Sequence, residues 1–143
     1  MTRSDYPFSF PFRVRYAETD AQGIVFYGNY LTYFDVAIYE YFRWLSYDVN
    51  DHVAETGADF HTVRAVADFH APSRFDDAIE VCVRTTRIGR SSLAFALAVY
   101  AEDEDRPRVT GEIVWVNADQ QAHRSTPLPP HLVARLSAHQ RPQ

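Results

Sequence analysis

Three features of the sequence predict an α+β fold. One apolar and polar alternation lies near the start of the chain, one long stretch with helical periodicity follows it, and four strand-like segments separated by short turns come after. A single helix laid on an antiparallel sheet of about five strands buries the apolar side of both.

In chain order, Phe12, Val14 and Tyr16 alternate with Arg13 and Arg15, the period-two pattern of a half-buried strand. Over residues 29–45, Tyr30, Leu31, Phe34, Ala37, Ile38, Tyr41, Phe42 and Leu45 recur at three- and four-residue spacings, with Thr32, Asp35, Glu40 and Arg43 between them. Asn29 is a natural N-cap for this helix, because its side chain can accept from unpaired first-turn amides. Gly28 lets the chain turn sharply just before it. After a less regular stretch, residues 62–70, 78–88, 91–102 and 109–117 are rich in β-branched and aromatic side chains and are expected as strands. The turns between them, 72–77, 89–90 and 103–107, carry the proline, glycine and aspartate that set turn angles. Successive strands joined this way are expected to pair as a meander. The proline-rich stretch 126–130 closes the sheet, and Leu132, Val133 and Leu136 allow one short helix before a polar tail. No repeat or linker interrupts residues 1–143, so one domain is expected, with its core at about residues 10–128. One helix covers one face only, so the other face or an edge of the sheet is expected to meet a second subunit.

Composition removes several functions. All 14 basic residues are arginine. A phosphate-binding loop of the Walker type, a pyridoxal enzyme and a Schiff-base aldolase each need a lysine, so none of these chemistries is available. The formal charge of -5 opposes broad nucleic-acid binding. Cys82 is the only cysteine, so no intrachain disulfide can form; a reducing, cytoplasmic setting is expected. The longest purely apolar run, residues 93–101, is far below the ~20 residues of a membrane span. No Gly-x-Ser-x-Gly elbow and no His-Glu-x-x-His helix is present. Cys82 sits between Val81 and Val83 in a strand pattern, as a small buried hydrophobe does. The six histidines are widely spaced and are read as surface or satisfied core residues.

The densest constellation joins the first strand to the helix, over residues 16–30. It combines the Asp20 carboxylate, Gly23, Gly28 and a helix N-terminus. First-turn amides and the positive end of a helix dipole can stabilise an oxyanion, while a nearby carboxylate attacks or activates water. Spacing alone equally allows Asp20 to be a structural residue that pins its own loop.

The segment DAQGIVFYGNYL, residues 20–31, resembles the signature of the 4-hydroxybenzoyl-CoA thioesterase family of hotdog-fold proteins. Tyr33-Phe34-Asp35 and Glu40, Phe69-x-x-Pro72, Asp76-Asp77 and Gly89-Arg90-Ser91-Ser92 extend the likeness over about residues 10–128. The resemblance implies a hotdog fold, a long antiparallel sheet wrapped around one central helix, assembled as a homodimer or homotetramer. It implies hydrolysis of an acyl-CoA thioester, with Asp20 as nucleophile or general base and the backbone amide of Tyr27 polarising the carbonyl. Gly23 would let the loop approach the acyl group, with Ile24, Gly28, Asn29 and Tyr30 beside the substrate. Arg90, with Ser91, stands where a family position contacts the nucleotide of CoA; Arg84 and Arg87 are further candidates for its phosphates. No metal or redox cofactor is implied, since CoA is part of the substrate. The branch linked to the Tol-Pal cell-envelope system carries a histidine where this chain has Gly28, so a histidine-assisted mechanism at that position is not available. A non-catalytic acyl-CoA binding module, and less readily a hotdog dehydratase, are the alternatives.

Overall fold

A computed structural model of the chain describes residues 1–140; the end of the expected polar tail, residues 141–143, lies outside them. The elements are β1 (Phe8–Arg13), α1 (Asn29–Trp44), α2 (Val49–Thr56), β2 (Ala58–Phe69), β3 (Ala78–Ile88), β4 (Ser92–Ala101), β5 (Val109–Asp119), β6 (Arg124–Ser125) and α3 (Pro130–Ala138). The strands form one antiparallel sheet in the order β1-β3-β4-β5-β2, with β6 on β5. β-Bulges at Thr62/Arg64 in β2 and Thr85/Arg87 in β3 interrupt the ladder; bulges of this kind bend a strand and raise its twist. The sheet and central helix make the expected hotdog architecture.

The long helix ends one residue short of the expected span. Its buried face is Tyr30, Tyr33, Phe34, Ala37, Ile38, Tyr41 and Phe42. That face packs on Val81, Val83, Phe95, Leu97, Ile113 and Trp115 of the sheet. Gly111 in β5 permits the close approach: a Cβ there would collide with Phe34 Cε2 and lie 2.6 Å from the carbonyl oxygen of Val66. On the opposite face, Cys82, Ala98 and Tyr100 form a small cluster with Tyr6, and burial pushes the Cys82 thiol up to about 12.

Four expectations are corrected. The first strand is earlier than residues 12–16: Phe8, Phe10 and Phe12 are its half-buried positions, Val14 bonds instead to Asp77, and residues 16–18 coil into a 3-10 turn. The pairing is not a simple meander, because β2 leaves its chain neighbour β3 and pairs with β5. The stretch treated as irregular contains α2, capped by Asp48, whose Oδ1 accepts from Asn50 and Asp51, and closed by Gly57 at φ 70°. Asn29 is not the N-cap of α1. Gly28 holds that position with helical angles (φ -63°), and the constraint on it is space, since a Cβ would lie 2.9 Å from the Phe26 ring.

Candidate active site

The loop between β1 and α1 is tied down at both ends by Glu18, which the sequence did not single out. Its carboxylate is buried, accepts from the Arg15 amide at 2.7 Å and Nη2 at 2.8 Å, and accepts the Tyr33 hydroxyl at 2.9 Å. Burial works to raise this carboxyl, but the bonds from Arg15 and Tyr33 outweigh it and hold it below the ordinary carboxylate range. The Glu18 carbonyl also accepts from the Phe26 amide (2.9 Å) and from Asn29 Nδ2 (2.8 Å). Asn29 therefore fixes the start of α1 to the loop through donation rather than by capping.

Within this frame residues 20–25 close a tight turn. The Asp20 amide donates to the Ile24 carbonyl, the Gly23 amide to the Asp20 carbonyl, each at 2.9 Å, and the Gln22 amide to Asp20 Oδ1 at 2.8 Å. Gly23 adopts φ +76°, the left-handed region that glycine enters without a Cβ penalty. One Asp20 oxygen thus pins the turn, as the structural reading required, while Oδ2 has no partner among the described residues. Thr19 bridges Val25 and Ile24 bridges Arg74, which docks the turn against the segment after β2.

Asp20, Gln22, Ile24, Val25, Tyr27 and Tyr30 form one side of a cleft of about 360 Å³, and Phe69, His70, Ala71 and Pro72 form the other. Tyr27 packs edge-on to Phe69, with ring centroids 6.3 Å apart, and Tyr30 lies 5.7 Å from the same ring. Tyr30 is buried and its hydroxyl has no hydrogen-bond partner among the described residues. At the head of α1 the amides of Asn29, Tyr30 and Leu31 donate to Phe26, Tyr27 and Gly28. The amides of Tyr27 and Gly28 have no protein acceptor among the described residues, so the positive end of the helix is open for an anion.

The structure thus brings Asp20, Ile24, Tyr27 and Tyr30 together in one cleft, while Gly23, Gly28 and Asn29 shape its loop without lining it. Arg90 and Ser91 stand apart, in the β3–β4 turn. Val109 of β5 pairs with Phe69 at the cleft and Val116 with Ser92 beside that turn, ~23 Å of strand away. Arg84 donates to the Asp5 carbonyl under the N-terminal segment, away from the cleft. His70 was invisible as a cleft residue in the sequence, because only the β2–β5 register sets it opposite the loop; its Nε2 pairs with Thr110 Oγ1 at 2.8 Å. His52 is a satisfied core histidine, bonded to the Tyr47 hydroxyl and to Asn117 Oδ1.

Comparison with known proteins agrees with this fold. The model of the Thioesterase superfamily matches residues 22–107. The chain is 28% identical over 129 residues to the acyl-CoA thioester hydrolase YbgC of Escherichia coli O6:H1, covering 90% of this chain and 95% of that protein. The PA5185 protein of Pseudomonas aeruginosa superposes with a TM-score of 0.86 at 26% identity, over 99% of this chain and 98% of that one. Slr0204 of Synechocystis, a 1,4-dihydroxy-2-naphthoyl-CoA thioesterase, shares the fold with a TM-score of 0.85 at 17% identity, over 91% of this chain and 95% of that one. The family model spans more than half of the chain and the fold agrees with it, which places the chain in the thioesterase superfamily, as a hotdog-fold thioester hydrolase.

Proposed function

We propose that the chain hydrolyses acyl-CoA thioesters to the free acid and CoA, with Asp20 as the catalytic carboxylate. The observation that carries this reading is that Asp20, whose Oδ2 is partner-free among the described residues, and Tyr27, whose amide is open, line one cleft. The thioester carbonyl oxygen would accept from the Tyr27 amide, where the dipole of a 16-residue helix favours the developing oxyanion. Asp20 then acts by one of two routes. As nucleophile, it bonds to the carbonyl carbon, the C–S bond breaks, CoA leaves as thiolate, and water hydrolyses the mixed anhydride. As general base, it takes a proton from water while the hydroxide attacks, and the proton passes to the departing sulfur. Each route consumes one water, and neither asks for a metal or redox cofactor.

The acyl group would lie against Ile24, Tyr27, Tyr30, Phe69 and Pro72, an apolar and aromatic lining. Arg90 and Ser91 would serve only the distal, phosphate-bearing end of CoA, given their distance from Asp20. A homodimer or homotetramer is part of the reading. Its support is the long outer edge of β2, which pairs with β5 alone among the described residues, and Val63 and Phe69 exposed upon it. A single species sedimenting at one chain mass would overturn that part. We place the protein in the cytoplasm on its unpaired cysteine; no helix among the described residues is long and apolar enough to cross a membrane.

The test is thiol release from aromatic, short-chain and long-chain acyl-CoAs by wild type and Asp20→Asn. Wild-type turnover with a loss of ~100-fold or more in a folded mutant is expected. Tight binding of CoA esters without thiol release would instead make the chain a non-catalytic binding module. Equal turnover by both proteins would remove Asp20 from the mechanism.

A further inference from the structure

The far wall of the cleft, His70, Ala71 and Pro72, continues past the end of β2. We infer that Arg108, which does not line the cleft, is the positioning residue for this wall; the inference rests on the thioesterase reading of that cleft. Arg108 precedes β5 and grips the segment from two directions. Its carbonyl accepts the His70 amide at 2.8 Å and the Ala71 amide at 3.0 Å. Its Nη1 donates to the Pro72 carbonyl (3.1 Å), Ser73 Oγ (3.3 Å) and Asp77 Oδ2 (3.1 Å). The guanidinium is itself held by a two-point bond to Glu104, Nε to Oε2 at 3.1 Å and Nη2 to Oε1 at 2.9 Å. Its side chain is only 17% exposed. A planar fork of donors can meet both sets of acceptors at once, which a lysine ammonium cannot.

The grip reaches the catalytic loop through one further bond, from the Val25 amide to the carbonyl of the fully buried Ser73 at 2.8 Å. Asp20 is less dependent on it, because its turn is closed by its own amide and by those of Gln22 and Gly23. Loss of the Arg108 side chain would therefore release Pro72 and Ser73 and let that end of the wall shift, while the main-chain bonds to His70 and Ala71 remain and the Asp20 carboxylate stays in place. Substrate affinity should fall more than the chemical step. Asp77 and Glu104 are both partly exposed, so water can take over their lost bonds and the variants should fold.

The experiment uses Arg108→Lys, Arg108→Ala and, as a destabilised control remote from the cleft, Asn117→Ala. Thiol-release KM and kcat, and the Kd of a non-hydrolysable acyl-CoA thioether, are read at a temperature where circular dichroism shows every protein folded. Both Arg108 variants should raise KM and Kd by ~10-fold or more with kcat within ~3-fold of wild type, the order expected of misplaced binding geometry. Free guanidinium should recover part of the affinity of Arg108→Ala, and Asn117→Ala should lower the melting temperature without moving KM. Wild-type KM and Kd in the folded Arg108 variants would overturn the assignment, as would an equal rise in Asn117→Ala. Wild type that binds the thioether but releases no thiol overturns the hydrolase reading, and the Kd values then decide on Arg108 alone. Wild type that binds no CoA ester overturns both.

Discussion

The Tyr33 hydroxyl, one turn into α1, donates to the Glu18 carboxylate at 2.9 Å, so the central helix and the loop bearing Asp20 are joined by a buried, charge-assisted bond. Four donors converge on that carboxylate, the amide, Nε and Nη2 of Arg15 and the Tyr33 hydroxyl, and its backbone carbonyl takes two more. The Asp20 loop is held in shape from this point, which does not line the cleft.

Replacing this carboxylate should therefore destabilise the fold in a pH-dependent way. Glu18→Gln keeps the shape but loses the charge that Arg15 and Tyr33 bond to, at a cost of about 1–3 kcal/mol near neutral pH. The folded carboxyl is held below its ordinary value of 4.5. Its contribution is thus fully present above that value and is lost as pH falls below it towards the folded value. Urea midpoints of the two proteins should differ at pH 7 and converge in acid; a constant difference would show that the charge is not the cause.

Tyr30→Phe should leave the free protein as stable as wild type or more so by up to about 1 kcal/mol, because the deleted hydroxyl is buried without a partner among the described residues. A melting temperature several degrees below wild type would mean that the hydroxyl is satisfied in solution.

Gly111→Ala should be among the most damaging single-methyl changes in the chain. The new Cβ meets the Phe34 ring on one side and the Val66 carbonyl on the other, and neither is the far end of a flexible side chain. Overpacking of this kind costs about 1–3 kcal/mol, read as a lowered thermal midpoint.

Cys82 should resist alkylation in the folded protein at pH 8 and react fully in denaturant, because burial raises its thiol to about 12. Cys82→Ala should keep wild-type turnover. Rapid labelling of the native protein, or loss of activity in the variant, would put the thiol in a functional position.

Much of the fold was legible because local patterns carry it. The three- and four-residue spacing from Tyr30 to Phe42 marks α1, and the β-branched runs with turn residues between them mark β3, β4 and β5. α2 escaped notice because it buries only His52 and so shows no apolar stripe, although Asp48 and Gly57 were standing at its ends. The first strand was displaced because Val14 and Tyr16 continue the alternation of Phe8, Phe10 and Phe12 in sequence, while Val14 leaves the ladder to bond with Asp76 and Asp77 and Tyr16 enters a 3-10 turn that Arg15 and Glu18 close.

The candidate site divides in the same way. Asp20, Gly23 and the start of α1 lie within ten residues of one another, so their proximity comes from chain connectivity alone. Their spacing in the sequence is enough to bring a carboxylate to a helix N-terminus. The far wall is different. Phe69, His70 and Pro72 reach Asp20 only because β2 crosses the sheet to pair with β5 and because Arg108 holds the segment beyond the end of β2. Strand pairing is set by the burial of whole faces and by backbone bonds between segments dozens of residues apart, which no local spacing encodes. The same long-range register carries Arg90 to the opposite end of the sheet. Local sequence is therefore enough to specify the central helix, the carboxylate near its head and the chemistries a lysine-free chain cannot perform. Tertiary structure decided which residues close the cleft over that carboxylate.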